Sequence, residues 1–223
     1  FFAETIMGVG GLITPGKEYF TEAVDIVHKH GGLFICDEVQ AGVGRTGEHY
    51  FGIKHWGAKP DIIVMAKGLG NGYPIGAIIT TKAIAKAMEG LLHYNTFGGG
   101  PMAIAAADAV MDVVEKDDLA GNSQKVGDRL IKGLRSVQLR DERVGDVRGM
   151  GLMVGVELVK DKKSKDFAPE LALKLVESMK DQGVLIGKGG LEGNTLRIKP
   201  PLCWTSADAD RTVAALEQAL KDA

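Results

Sequence analysis

Cysteine is scarce here: Cys36 and Cys203 are the only two in 223 residues, too few for a disulfide framework. Both sit among apolar neighbours and read as reduced core residues of an intracellular, soluble protein. An excess of either charge is also missing, with 27 Lys and Arg against 29 Asp and Glu for a net charge of −2. That balance argues against nucleic acid as a partner, because binding phosphates takes a clustered positive surface. No apolar run approaches the length of a bilayer span, so no membrane segment is expected. No targeting segment is recognisable, and cytoplasm and mitochondrial matrix are not told apart. The five histidines show no metal-ligand spacing. An initiator Met is absent too: Phe1-Phe2-Ala3 reads as the end of a buried strand, which predicts further chain upstream.

Glycine is abundant, with 31 residues clustered at the ends of apolar runs, where tight turns and close backbone approach are expected. Phe20, Ala23, Val24 and Val27 follow helical spacing over Phe20 to His30, and Gly31 stops the helix. Leu33-Phe34-Ile35-Cys36 is a continuous apolar run, as in a strand of a parallel sheet covered on both faces. Ile62 to Ala66 is a second such run, and Ala77 to Thr80 a third strand. Pro101 to Glu115 is an Ala- and Val-rich helix that we expect to be largely buried. Near Leu119 charged residues become denser, and Val126, Leu130 and Leu134 mark one face of an amphipathic helix. A strand over Leu152 to Leu158, a solvated charged loop over Lys160 to Asp166, and a helix over Glu170 to Gln182 follow. Short strands are expected at Val184 to Ile186 and Leu196 to Lys199. The last helix begins at Thr205, with Asp208 at capping-box spacing. The fold class is α/β, and we place a domain boundary between 118 and 119.

In open α/β sheets, ligands sit outside the carboxyl ends of the parallel strands. Two polar groups stand at such ends: Asp37 with Gln40, and Lys67. Each has an ordinary structural reading, Asp37 as a cap or ion-pair partner and Lys67 as a solvated loop residue. Together they suit pyridoxal 5′-phosphate (PLP). That cofactor needs a carboxylate at its ring nitrogen and a lysine amine for a Schiff base. It also takes a donor near the ring hydroxyl and an apolar side chain against the ring, roles open to Gln40 and Val39.

The words around these residues resemble a known family. Asp37-Glu38-Val39-Gln40-Ala41-Gly42, Arg45-Thr46-Gly47, Pro60-Asp61-Ile62, Ala66-Lys67-Gly68-Leu69-Gly70-Asn71-Gly72, Asn95-Thr96-Phe97-Gly98-Gly99 and Val147-Arg148-Gly149-Met150-Gly151-Leu152 are similar to class III aminotransferases of fold type I. The stretches Gly183 to Gly190 and Leu196 to Cys203 are similar to the alanine–glyoxylate aminotransferase 2 group within that class. The resemblance runs over essentially the whole chain. It implies that residues 1–118 are the C-terminal part of a mostly parallel-sheet PLP-binding large domain, and 119–223 a small C-terminal α/β domain. It further implies that Lys67 carries the cofactor and shuttles the proton, that Asp37 pairs with the pyridinium, that Val39 packs on the ring, and that Gln40 bonds near the ring oxygen. Thr96 would reach the cofactor phosphate of a neighbouring subunit in a homodimer with shared sites, and Arg197 would bind the substrate carboxylate with its bidentate fork. The substrates implied are an amino acid donor, alanine above all, and a small 2-oxo acid such as glyoxylate, exchanged in a ping-pong cycle. The alternatives are a class III activity on β-alanine, diamines or other ω-amines, or a dimerising fragment without catalysis, because the family's main phosphate loop lies upstream of position 1.

This sequence departs from the family pattern at two places. Thr5 stands where many members have proline, and Val9 stands where ornithine and γ-aminobutyrate aminotransferases have a glutamate that pairs with the carboxylate-binding arginine. The second departure argues for an α-carboxylate substrate. Gly42 to Gly47 matches G-x-G-x-x-G, but no helical face follows it, which argues against a dinucleotide site. Gly187 to Gly190 lacks the spacing and the Ser or Thr of a P-loop. His28 and His30 lie at a helix C-terminus, where a partly charged imidazole suits the macrodipole. Arg148 is expected at a domain interface.

Overall fold

A computed structural model describes residues 1–223. Strand β1 (Phe2–Glu4) is followed by helix α1 (Tyr19–Lys29), strand β2 (Ile35–Asp37), strand β3 (Ile62–Met65) and strand β4 (Ala77–Thr80). Their sheet has the order β1-β2-β3-β4. The first three strands are parallel, and β4 closes the edge antiparallel to β3. α1 covers this sheet through Phe20 and Val24. Phe20 stacks on Phe34 with ring centroids 5.7 Å apart and meets Trp56 edge-on at 5.3 Å, geometries that add to the area the rings bury. Gly31 takes φ +72 just beyond the helix, where a Cβ would be strained.

β1 lies at the edge of this sheet, with Phe2 58% exposed. Two expectations are corrected here. In β4, the adjacent residues Ile78 and Ile79 are both exposed; they point to opposite faces, so neither face of this edge strand is fully covered. Helix α3 (Pro101–Lys116), which follows the short α2 (Lys82–Ala85), buries only Ala107 and Val114. That stripe packs on Val43, Met65 and Leu69, while Met102, Ile104, Met111 and Val113 on its other faces meet solvent.

α4 (Leu119–Arg140) leads into β5 (Val144–Met150), β6 (Met153–Leu158), α5 (Pro169–Asp181), β7 (Gly187–Gly189), β8 (Thr195–Ile198) and α6 (Ser206–Asp222). The second sheet has the order β5-β6-β8-β7 and is antiparallel throughout. Leu130 and Leu134 of α4, Leu175 and Met179 of α5, and Leu216 of α6 converge on its buried face with no exposed surface left. Burying side chains of this size stabilises by about 1.5–3 kcal/mol each. Asp118, at φ +45, caps α4 by accepting the Gly121 N–H. Thr205 and Asp208 form the expected capping box of α6. The Lys160–Asp166 loop is exposed as expected.

Strand β5 has no counterpart in the sequence reading. A register shift between Val144 and Asp146 breaks its alternation, so both Val144 and Val147 point inward and a period of two is not visible. The apolar run Val184 to Ile186 is not the paired segment either; Gly187–Gly189 is. A Cβ on Gly189 would lie 2.4 Å from Cδ of Arg197, so only glycine lets that arginine lie across the edge strand. No helix is long and apolar enough to cross a membrane.

Candidate active site

The carboxyl ends of β2 and β3 are neighbours in the parallel part of the first sheet. Asp37 ends β2, and its Oδ1 accepts the Val39 N–H at 2.9 Å. The turn that follows is fixed by Glu38, which is 1% exposed. Its carboxylate accepts N–H groups from Gly52 at 3.0 Å and Ile53 at 2.7 Å, and the thiol of Cys36 lies 3.6 Å away. Burial pushes the Glu38 carboxyl above its ordinary range, and the two N–H bonds pull the other way. Glu38 therefore holds the Asp37–Gln40 segment against the short helical turn Gly52–Trp56, a role visible in sequence only as an acid inside an apolar run.

Lys67 begins a short helical turn, Lys67–Leu69, just after β3. Its φ is +45, a left-handed backbone that costs a non-glycine residue about 1–2 kcal/mol. Such strain concentrates where a side chain must be aimed. The Lys67 carbonyl accepts N–H groups from Gly70 and Asn71, both at 3.1 Å, which hold the strained turn in place. Lys67, Val39, Gln40 and Val43 share a cleft of about 610 Å³ with Asn71, Val110, Lys199, Leu202 and Cys203. Cys203 is exposed on this cleft, which corrects the reading that both cysteines belong to the core. Cys36 is buried, and burial together with Glu38 drives its thiol well above the ordinary range.

Lys199 was not singled out from sequence. It lies just past β8, two residues after Arg197, so both side chains leave the same face. Its Nζ donates to Oε1 of Gln40. Nε2 of Gln40 donates to Oε2 of Glu4 at 3.3 Å, and the same oxygen accepts the Gly8 N–H at 2.9 Å. Burial first, then Arg197, Lys67 and Arg45, push the Lys199 ammonium down to about 8, opposed by Glu4.

Arg197 lies on a second opening that Lys199 also lines, with Leu185, Ile186, Pro200 and Arg211. Its Nε is buried with no hydrogen-bond partner, and it forms no ion pair, unlike Arg129, Arg140, Arg143 and Arg148. Thr96 is not brought to either opening. It sits in an exposed turn, closed by Gly98 N–H to Asn95 carbonyl at 3.1 Å, beside Leu92 (102% exposed) and Phe97 (87% exposed). Arg148, on β5, reaches the segment between β1 and α1: it donates to the Gly11 carbonyl at 2.9 Å and pairs with Glu157 and Asp146 at 2.5 and 2.9 Å.

Gly42 to Gly47 folds as consecutive turns, with Gly44 and Gly47 at φ +75 and +82, and no helix opens there. Although the histidines lack ligand spacing in sequence, Glu48, His49 and His55 come within 4.8 Å of one another. His55 also meets Trp56 edge-on. Burial and the His49 ring lower the affinity of His55 for a proton, which suits a neutral packed imidazole.

The first cleft offers the Lys67 amine, an apolar wall at Val39 and an amide at Gln40 with one N–H left over; Asp37 does not line it and stands behind Val39 at the end of the adjacent strand. An amine in the cleft with a carboxylate on the neighbouring strand end is a set that suits a pyridine ring carrying an aldehyde.

The comparisons with known proteins agree with this geometry. The aminotransferase class-III family matches residues 1–220. The alanine–glyoxylate aminotransferase 2 homolog 2 of Arabidopsis thaliana, named as mitochondrial, is 47% identical over 220 residues, which are 99% of this chain and 46% of that protein. An amine transaminase from an uncultivated Pseudomonas species, solved in its PLP-bound form, superposes with a TM-score of 0.92 at 38% identity over 99% of this chain and 51% of that one. A phospholyase from Arthrobacter in complex with phosphoethanolamine superposes with a TM-score of 0.96 at 34% identity over 100% of this chain and 53% of that one. The chain thus spans about half the length of the relatives it matches. From Phe2 to the last helix it is covered by one family and one fold: it belongs to the class III aminotransferases.

Proposed function

We propose that the protein is a PLP-dependent aminotransferase that moves an amino group from an amino acid, alanine above all, to a small 2-oxo acid such as glyoxylate in a ping-pong cycle. The observation that carries this reading is the pairing of Asp37 and Lys67 on adjacent parallel strand ends, with Lys67 held in a left-handed backbone at the cleft. When bound, PLP supplies an electron sink for the substrate carbon. Lys67 would hold it through Nζ and would carry a proton on that nitrogen to and from the substrate. Asp37 would keep the ring nitrogen protonated. Val39 would pack on the ring and Gln40 would give an N–H to the ring oxygen. Arg197, which has no carboxylate partner in this chain, takes the α-carboxylate of the substrate. Val9, 68% exposed, offers no charge to compete for that guanidinium.

We further infer that a site made of 1–118 and 119–223 as two domains is completed by the rest of the protein and by a second subunit. The exposed apolar turn that carries Thr96 supports this, as does the share of the relatives' length that this chain spans. In the test, PLP is added to the protein, the visible absorbance is recorded, the mixture is reduced with borohydride, and the adduct is located by mass spectrometry. The adduct is expected on Lys67; its absence from a complete folded protein overturns the reading and leaves the non-catalytic fragment. Alanine is expected to bleach the absorbance, while β-alanine and diamines leave it. A second reading, a phospholyase, is favoured by the TM-score of 0.96 to the Arthrobacter enzyme; release of inorganic phosphate from phosphoethanolamine, with alanine inert, selects it.

A further inference from the structure

We propose that Lys199 is a positioning residue that fixes which way the Gln40 amide faces and so presents its spare N–H to the cofactor ring. The inference rests on the PLP reading above. A carboxamide has two N–H donors and a two-lone-pair oxygen, and its two ends are close to isosteric. In this site the ends are told apart. Lys199 Nζ donates to Oε1, and Nε2 donates to Glu4. A flipped amide would turn its NH2 toward an ammonium and its oxygen toward a carboxylate, exchanging two attractive contacts for two repulsive ones. Glu4 is in turn held by the Gly8 N–H. A Cβ on Gly8 would lie 2.5 Å from Oε1 of Gln40, so a larger residue there would push the amide out of the clamp. One N–H of Gln40 remains, and Gln40, Lys199 and Lys67 line the same cleft.

The location is unfavourable for a lysine that only filled space. Arg197, Lys67 and Arg45 surround it, Glu4 alone opposes them, and burial adds to the cost. An apolar side chain would be more comfortable there. A cation kept in such a place is explained by what it holds.

The test is a double-mutant cycle on cofactor affinity in the full-length protein, read by fluorescence titration with PLP. Lys199→Met is expected to weaken PLP binding about tenfold, the scale of one charge-assisted hydrogen bond, while Lys199→Arg stays within about threefold of the wild type because it keeps the donor. Gln40→Leu is expected to lose about as much as Lys199→Met, and the double variant no more than Gln40→Leu alone. Glu4→Gln, which loosens the other end of the clamp, gives the same pattern and serves if Lys199→Met does not fold. Wild-type affinity in Lys199→Met, or losses that multiply in the double variant, overturn the proposal. Absence of a reducible adduct at Lys67 in the wild type instead overturns the cofactor reading itself, so the two failures are distinct.

Discussion

At the scale of single residues, the cleft sets electrostatic comfort against order. Lys199 is held at about 8, below the ordinary lysine value of 10.5. Between those two values the unfolded chain binds more protons than the folded one, so this group makes stability rise with pH across that window. Below pH 8 its full unfavourable effect is present. Lys199→Met is therefore expected to be more stable than the wild type at pH 7 in the absence of cofactor. The difference should shrink as pH rises from 8 to 10.5, which thermal melts of both proteins along a pH series would measure. A melt difference that stays constant across the series would contradict the assignment. Greater stability combined with weaker cofactor binding is a pattern that a purely structural lysine would not give. The sequence made Asp37, Gln40 and Lys67 legible because they end apolar runs, where ligands gather. Lys199 was not legible, because a lysine before two prolines carries no signal until β8 is laid beside the end of β2.

At the scale of elements, one carboxylate ties three of them together. Asp61, just before β3, accepts the Phe34 N–H at 2.7 Å ahead of β2 and meets His28 Nε2 near the end of α1 at 2.8 Å. Burial would raise its carboxyl, but the His28 bond and the Phe34 N–H outweigh this and hold it below the ordinary range. The stability it contributes is present above the unfolded carboxylate range and is lost as pH falls through the lowered value. Asp61→Ala is expected to cost about 2 kcal/mol, mostly from the unpaired Phe34 N–H, seen as a lower urea midpoint at pH 7. At a pH below the lowered value the gap between the two proteins should narrow, as the charge-dependent part of these bonds is lost. The helices α1, α4, α5 and α6 were legible from their apolar stripes and stops. β5 was hidden by its bulge. α3 looked buried because composition reports how apolar a helix is and not which neighbours reach it.

At the scale of the whole molecule, Arg45 is the fastener between the two sheets. Its Nη1 donates to the carbonyls of Leu152, at 3.3 Å, and Pro200. Its own carbonyl accepts the Leu152 N–H at 3.1 Å and the Ser123 hydroxyl at 2.7 Å. Burial lowers the affinity of its guanidinium for a proton. Gly151 closes the joint at φ +52, where a Cβ would meet the Thr46 carbonyl carbon at 2.5 Å. Arg45→Met keeps the side-chain bulk but leaves two carbonyls without donors, which is expected to cost about 2–4 kcal/mol. Denaturation followed by Trp56 and Trp204 fluorescence is expected to separate into two steps, because Arg45 couples the two halves. A single step with an unchanged midpoint would show that the coupling lies elsewhere.

The sequence by itself determined the parallel α/β sheet, the amphipathic helices, and the carboxylate and lysine at two strand ends, because these follow from local periodicity and from turns that specific residues demand. Only the tertiary structure decided which distant groups meet: Lys199 with Gln40 across 159 positions, Arg45 with Leu152 and Pro200, and Cys203 on the cleft rather than in the core. Those meetings depend on how two sheets dock, a long-range outcome of packing that no local pattern encodes. The placement of Asp37 and Lys67 at strand ends is thus local in origin, and the orientation of the groups around them is set by the docking.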